Sequence, residues 1–185
     1  FGAIPIISLP LTFTLEASLY MLYLKGLRGN EVSSKDLFTG FNNFKHVAGG
    51  MAWMYLWIFI WGLIPIVGIV FAIIKAYSYR FAPFILMTRP EIGATDAIKE
   101  SMKMTNGIKG RMFWADVFVY IGFAVCVFVL GLFASIPYIG ILFSIILFAF
   151  VLLYLALSQI FLGLVSASFY ENRSSEQSEG TNVVQ

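Results

Sequence analysis

The longest uncharged run of the chain most restricts what it can fold into. From Val117 to Tyr170 the sequence contains no Asp, Glu, Lys, Arg or His. A transmembrane helix needs about 20 mostly apolar residues, so this run is too long for one helix and long enough for two. The whole chain is 59% hydrophobic and 12% charged, whereas soluble domains carry about 25% charged residues. These features predict an integral membrane protein and exclude a soluble domain, a disordered chain and a nucleic-acid-binding domain.

Proline and glycine divide the apolar sequence into predicted helices. SIPYIG at 135–140 and GLIPIVG at 62–68 each predict a turn. With these turns, the chain is an all-α polytopic bundle of about five spans, and one more span is expected upstream of Phe1. The bundle is expected to cover 1–172, followed by a polar, disordered tail over 173–185. The predicted spans are 4–24, 47–63, 66–87, 112–133 and 141–170.

The segment 47–87 has two interpretations, which differ in topology. One helix over 47–74 places loops 25–46 and 88–112 on opposite sides of the membrane, whereas two spans place them on the same side. The loops carry four and five Lys or Arg residues, and the two short turns carry none. Because basic loops stay in the cytoplasm, we favour two spans in a cell membrane, with both loops and the C-terminal tail cytoplasmic.

An amphipathic pattern lies in the second basic loop. In residues 93–105 the apolar residues recur at helical spacing on one face and the charged residues on the opposite face. Asn106-Gly107 ends the pattern. This predicts a short helix, which either lies at the cytoplasmic interface or packs under the bundle. The apolar face contains Ala94, Ala97, Ile98, Ser101, Met102 and Thr105, and the charged face contains Asp96, Lys99, Glu100 and Lys103.

Four ionisable residues form a candidate intramembrane polar site. Such residues are costly in a bilayer and are often functional. Glu16 and Arg80 are predicted at similar depth, where an ion pair either orders the bundle or lies on a substrate or ion pathway. Lys75 is predicted near the bilayer centre and facing the bundle interior. Asp116 is predicted at the inner interface beside Trp114.

Small residues spaced by four predict close helix packing, because they let two backbones approach each other. Gly68, Ala72 and Ala76 form one such stripe beside Lys75, and Gly163 and Ala167 form a second. We expect both stripes to face neighbouring helices.

Catalytic and cofactor motifs are absent from the sequence. One cysteine and one histidine exclude a multi-cysteine or His-cluster metal site. The sequence also lacks a Gly-rich phosphate loop, HExxH and GxSxG. It therefore predicts a protein that is not an enzyme and that binds no cofactor.

Several phrases in the chain resemble a known family. DLFTGF at 36–41, KAYSYRFAPFIL at 75–86 and EIGATDAIKESMKMTNGIKGRMF at 91–113 are similar to the bacterial integral-membrane family called domain of unknown function nine-seven-five. The resemblance covers residues 10–172 and departs from the pattern at 121–123. It implies a multi-helix plasma-membrane protein with a further N-terminal helix and no established activity. A looser similarity to the membrane domains that precede glycerophosphodiesterase domains suggests a lipid-linked or scaffolding role.

Two functional hypotheses remain. The first is a non-enzymatic subunit or scaffold that binds membrane lipids, another membrane protein or a second copy of the chain, and no nucleic acid. The alternative is a small transporter or permease for a lipid, peptide or ion that uses Glu16, Lys75 and Arg80. A charged, water-filled cavity that reaches Lys75 would favour transport, and a closed core would favour a scaffold.

Overall fold

The architecture is helical throughout the part of the chain that the structure, a computed structural model, describes: residues 4–65 and 67–182. No strand occurs within these ranges, so the predicted all-α class is confirmed. A 3₁₀ helix over Ser34–Asn43 connects the first two α-helices. The α-helices are α1 (Ile4–Leu27), α2 (Phe44–Gly62), α3 (Gly68–Tyr79), α4 (Ala82–Thr88), α5 (Ala94–Met104), α6 (Lys109–Ala134) and α7 (Gly140–Asn182).

Three helical segments in the described part are long and apolar enough to cross a membrane. They are the α3–α4 segment Gly68–Thr88, helix α6, and α7 as far as Ser178. These segments support a membrane protein. Helices α1 and α2 are not among them, so the count of about five spans stays a prediction.

The chain turns between α2 and α3, as predicted. Helix α2 ends at Gly62 and α3 begins at Gly68, where a Cβ atom would lie 2.9 Å from the carbonyl oxygen of Gly62. After the turn α3 packs back against α2, and the rings of Trp61 and Phe71 are 5.8 Å apart. The interpretation of 47–74 as one continuous helix is therefore wrong.

Contacts between distant parts of the chain bring the loops together at one end of the molecule. Arg28, just after α1, binds the carboxylate of Glu171 through Nη2 at 2.7 Å. Arg173 donates from Nη2 to the carbonyl oxygen of Asn106 at 2.7 Å. Loops 25–46 and 88–112 and the start of the tail therefore share one end, as the two-span interpretation requires.

Helix α5 packs over the point where the helix is interrupted between α3 and α4. The carbonyl oxygen of Ser78 accepts hydrogen bonds from the hydroxyls of Ser101 at 2.8 Å and Thr105 at 3.2 Å. The N–H of Phe81 donates to the same Ser101 hydroxyl at 3.1 Å. The helix predicted over 93–105 is confirmed, and it packs on the bundle. Its buried face consists of Ala97, Ile98, Ser101 and Met104.

The polar tail starts as a continuation of α7, which extends to Asn182. Arg173 joins its first turn to the end of α5, where Nε donates to the carbonyl oxygen of Met104 at 3.2 Å. A cation beside the last carbonyls of a helix is stabilising. The segment is assigned as helix as far as Asn182. The disorder expected for 173–185 and the domain boundary at 172 stay predictions.

Candidate functional site

A cavity of about 490 Å³ opens between helices α1, α2, α3, α6 and α7. Its walls combine aromatic, polar and charged side chains, which is unusual for the interior of a membrane bundle, where ionisable residues are rare. The tyrosines are Tyr20, Tyr23, Tyr55, Tyr77, Tyr79 and Tyr120, and the ionisable residues are Glu16, Arg80 and Asp116. Gln159 and Ser166 of α7 also line it.

Helical spacing brings these residues to one cavity. On α1, Glu16, Tyr20 and Tyr23 follow each other at i, i+4 and i+7, so they share one face. On α6, Asp116 and Tyr120 are likewise four residues apart. Helices α1 and α6 therefore each present one row of polar side chains, and both rows line the same cavity.

Arg80 and Asp116 form a buried ion pair in the cavity wall, with side chains 13% and 11% exposed. The guanidinium binds both carboxylate oxygens, with Nη2 3.1 Å from Oδ1 and Nη1 donating to Oδ2. The Nε of Arg80 donates to the Ser166 hydroxyl at 2.8 Å, and the Tyr77 hydroxyl donates to Asp116 Oδ2 at 2.8 Å. Bidentate geometry and added hydrogen bonds offset the desolvation of the two charges.

This pair corrects one prediction. Arg80 was expected to pair with Glu16, and it pairs with Asp116 because α6 packs against α3 and places the carboxylate beside the guanidinium. Asp116 lines the cavity, whereas Trp114 is 55% exposed. The depth expected for Asp116, at the inner interface, stays a prediction.

Glu16 occupies the cavity without a cationic partner. Its carboxylate accepts a hydrogen bond of 2.6 Å from the hydroxyl of Tyr55, whose ring stacks on Phe13 with centroids 5.0 Å apart. No residue in the described part of the chain forms a salt bridge with it. Within the described chain the carboxylate therefore has a neutral hydrogen-bond donor and no charge to balance it.

Lys75 lies outside the cavity lining, half-buried in the hairpin of α2 and α3. Its ammonium is 4.9 Å from the centroid of the Trp61 ring and 5.9 Å from that of Tyr79. Aromatic faces attract cations at these distances. The structure therefore places the Lys75 ammonium against aromatic rings of the hairpin, outside the cavity that Glu16 lines.

The predicted small-residue stripes lie at different kinds of contact. Ala72 is 3.8 Å from a Cβ built on Gly62, which is a close contact between α2 and α3. A Cβ on Gly163 would overlap the ring of Tyr23, so this glycine seats the ring between α1 and α7. Gly68 lies at the turn described above, Ala76 lines the cavity and Ala167 is fully buried.

Sequence reasoning missed the tyrosines of the cavity. A signal was present, because Tyr20 and Tyr23 recur at helical spacing from Glu16, and Tyr120 recurs four residues after Asp116. Tyrosine in a membrane sequence is usually an interfacial anchor, and that property does not reveal which rings converge.

The cavity presents groups that are suited to holding a small molecule. They are hydroxyl groups, aromatic rings, one amide and one carboxylate without a counter-charge. Among the residues that the structure describes, no group of three His, Cys, Asp or Glu side chains is placed to hold a metal ion.

One family matches most of the chain. The model of the family described as "Protein of unknown function (DUF975)" matches residues 47–177, which include Lys75, Arg80 and Asp116, while Glu16 lies outside the match. No match was found among curated proteins or among solved structures. The resemblance seen in the sequence is thereby confirmed. The chain belongs to this family of proteins of unknown function.

Proposed function

We propose that the chain is a non-enzymatic integral membrane protein that holds the polar part of a lipid or another small amphiphile in the cavity between α1, α2, α3, α6 and α7. The observation that carries the proposal is the meeting of Glu16 with the Arg80–Asp116 pair around open space. An amphiphile bound in this cavity would bring its polar group to these side chains.

The energetics support a binding role. Ionisable side chains within membrane helices are costly and rare and often mark functional sites, and three of them, Glu16, Arg80 and Asp116, line one cavity. A pair that only orders the bundle would be expected in a closed core. Here about 490 Å³ stays open beside it, which is within the range of small-molecule sites, about 300–1,000 Å³.

The proposal includes a topology and partners. We propose five spans in this chain, in the cell membrane of a bacterium, with loops 25–46 and 88–112 and the C-terminal tail in the cytoplasm. The common end of the basic loops supports this arrangement, because Arg28 and Arg173 both reach across it, and basic residues favour the cytoplasmic side. Membrane lipids, and another membrane protein or a second copy of the chain, are the proposed partners.

Transport is the second candidate, and the break between α3 and α4 favours it. Transporter binding sites are often built at interrupted membrane helices, and Arg80 lies at this interruption, on the cavity wall. The position of Lys75 outside the cavity lining speaks against the version that uses Glu16, Lys75 and Arg80 together.

The test is recovery of the ligand. The full chain is purified in native lipid, and the compounds that stay bound are identified by mass spectrometry. Ile58→Trp fills the cavity, whereas Ile60→Trp changes an exposed residue of the same helix that does not line it. We expect a compound that is retained by wild type and Ile60→Trp and lost from Ile58→Trp.

Identical compounds at identical yield in all three proteins would contradict the binding function. If a compound is retained, its flux into vesicles that contain the protein separates the two candidates. Uptake that Ile58→Trp blocks supports transport, and retention without uptake supports a subunit or scaffold.

A further inference from the structure

We propose that the cavity selects organic cations and holds an amine or quaternary ammonium group between tyrosine rings beside the carboxylate of Glu16. This inference rests on the proposed binding function of the same cavity and names the chemical class of its ligand.

The first argument is the balance of charge in the cavity wall. The positive charge of Arg80 is matched by Asp116, which binds it through both carboxylate oxygens. Glu16 has only the neutral hydroxyl of Tyr55 at 2.6 Å. The lining therefore carries one carboxylate more than it carries cations, and a positively charged ligand restores the balance.

The second argument is the aromatic lining. Rings attract cations through their faces, most strongly where water is excluded. Two of the lining tyrosines already contact cations of the chain. The guanidinium carbon of Arg80 is 5.4 Å from the ring centroid of Tyr77, and the ammonium of Lys75 is 5.9 Å from that of Tyr79. The other four lining tyrosines form no cation–π contact with a residue of the described chain, and they are Tyr20, Tyr23, Tyr55 and Tyr120.

The third argument is that the described cavity wall offers an anion no cation without a counter-charge. Phosphate and carboxylate ligands are bound by Arg or Lys. Arg80 is the cation of the lining, and three of its five N–H groups donate to Ser166 or Asp116, so its charge is already matched by the Asp116 carboxylate. Lys75 lies outside the lining. An anionic head group would therefore add a second unbalanced negative charge beside Glu16.

An alkylammonium group can come from two sources, a lipid head group or a free amine in water, and binding measurements distinguish them. The full chain in maltoside micelles is titrated with decyltrimethylammonium, choline, decyl phosphate and 3,3-dimethylbutan-1-ol, which is a neutral analogue of choline. We expect the cationic member of each pair to bind about tenfold tighter or more than its neutral or anionic counterpart. Binding of decyltrimethylammonium alone indicates a membrane amphiphile, and binding of choline as well indicates that the head group suffices.

Variants connect this preference to the named residues. Glu16→Gln keeps a hydrogen-bond acceptor for Tyr55 and removes the charge, so it should weaken cation binding about tenfold and leave the neutral analogue unchanged. Glu91→Gln, at an exposed carboxylate outside the cavity, is the matched control and should change nothing. If Glu16→Gln does not fold, Tyr20→Phe, which keeps a ring, should bind the cation better than Tyr20→Leu.

Two outcomes would overturn the inference, and they differ in what they say about the cavity. Tighter binding of decyl phosphate than of decyltrimethylammonium, blocked by Ile58→Trp, would refute the cation class and leave the binding function standing. Binding of no probe, together with no compound lost from Ile58→Trp, would refute both.

Discussion

The α3–α4 segment and the α6–α7 hairpin are both apolar enough to cross a membrane, yet they differ in how much of each is buried inside the molecule. In the most apolar window of Gly68–Thr88, 44% of the residues are buried inside the molecule, whereas the share is 0% in α6 and 6% in α7. The mean hydropathy runs the opposite way, at 1.5 for the first segment against 2.7 and 2.8 for the others. The least hydrophobic segment is therefore the one that the protein surrounds.

The reason lies in what holds membrane helices together. Apolar side chains gain little from leaving lipid for protein, so packing, small residues and polar contacts decide which helices associate. The α3–α4 segment supplies such contacts through Ser78 and Arg80, which bind α5, α6 and α7. The hairpin is joined instead by stacked rings, such as Phe123 on Tyr154 with centroids 3.7 Å apart.

The hairpin itself is divided. Away from the turn at 135–140, α6 and α7 carry Asp116 and Gly163, which contact α3 and α1. Nearer that turn, side chains such as Phe128 and Ile145 are 67% and 62% exposed. The comparison teaches that polar residues in this chain mark where its helices bind each other, and that its most hydrophobic stretches are the most exposed ones. We propose that the exposed stretches meet lipid.

The largest expected effect is on the buried ion pair. Asp116→Leu leaves Arg80 buried without its counter-charge, which should lower the free energy of unfolding by about 3–5 kcal/mol. The double variant Arg80→Met with Asp116→Leu should recover most of that loss. Unfolding in mixed micelles measures both. As a control, Arg89→Met breaks the more exposed pair with Glu100 and should cost less than about 1 kcal/mol.

A pair of glycine substitutions sharpens the contrast between the two regions. A Cβ at Gly163 overlaps the ring of Tyr23, while a Cβ at Gly131 of the hairpin meets no atom within 4 Å. Gly163→Ala should therefore destabilise the protein by about 1–3 kcal/mol through overpacking. Gly131→Ala should be neutral or stabilising by up to about 1 kcal/mol, because alanine favours the helix. Equal effects in thermal unfolding would contradict the division.

A smaller loss of stability is expected where α5 packs over the interruption between α3 and α4. Ser101→Ala removes the acceptor of the Phe81 N–H, which should cost about 1 kcal/mol, since Thr105 still donates to Ser78. Thr95→Ala, on the exposed side of α5, is the matched control. Hydrogen exchange of the Phe81 amide should speed up in the first variant only, and unchanged exchange would argue against this hydrogen bond.

The smallest effect concerns pH and the loop after α1. The Lys25 ammonium, 2.8 Å from Asp36 Oδ2, together with the Ser33 N–H, lowers the pKa of Asp36 below its usual value of 3.8. Because the folded-state pKa is the lower one, the contact contributes stability above the usual pKa and loses it as the pH falls through the folded-state value. Exchange of the amides near Ser33, corrected for intrinsic rate, should increase in that acid range. Asp36→Asn should abolish this pH dependence.

Local signals in the sequence predicted the elements well. Proline and glycine located both turns, and the periodicity of residues 93–105 located α5 within a residue at each end. The partner of Arg80 was predicted wrongly, because depth along the spans favoured Glu16, whereas the rotation of each helix, which the sequence does not give, turns Asp116 toward the guanidinium. The tyrosines of the cavity were missed for the same reason, because the spacing of residues along one helix does not show which neighbouring helix they face.

The most direct test of this division compares a position in the cavity wall with an exposed position on the hairpin. In native membranes, Gln159→Cys in a Cys126→Ala background places a thiol at the cavity wall, whereas wild type carries its single thiol, Cys126, exposed on α6. The reagent is a membrane-impermeant trimethylammonium thiosulfonate. We expect rapid modification of the cysteine at 159 and no modification of Cys126. Modification of Cys126 at an equal or faster rate, or no reaction at 159 in folded protein, would contradict the division.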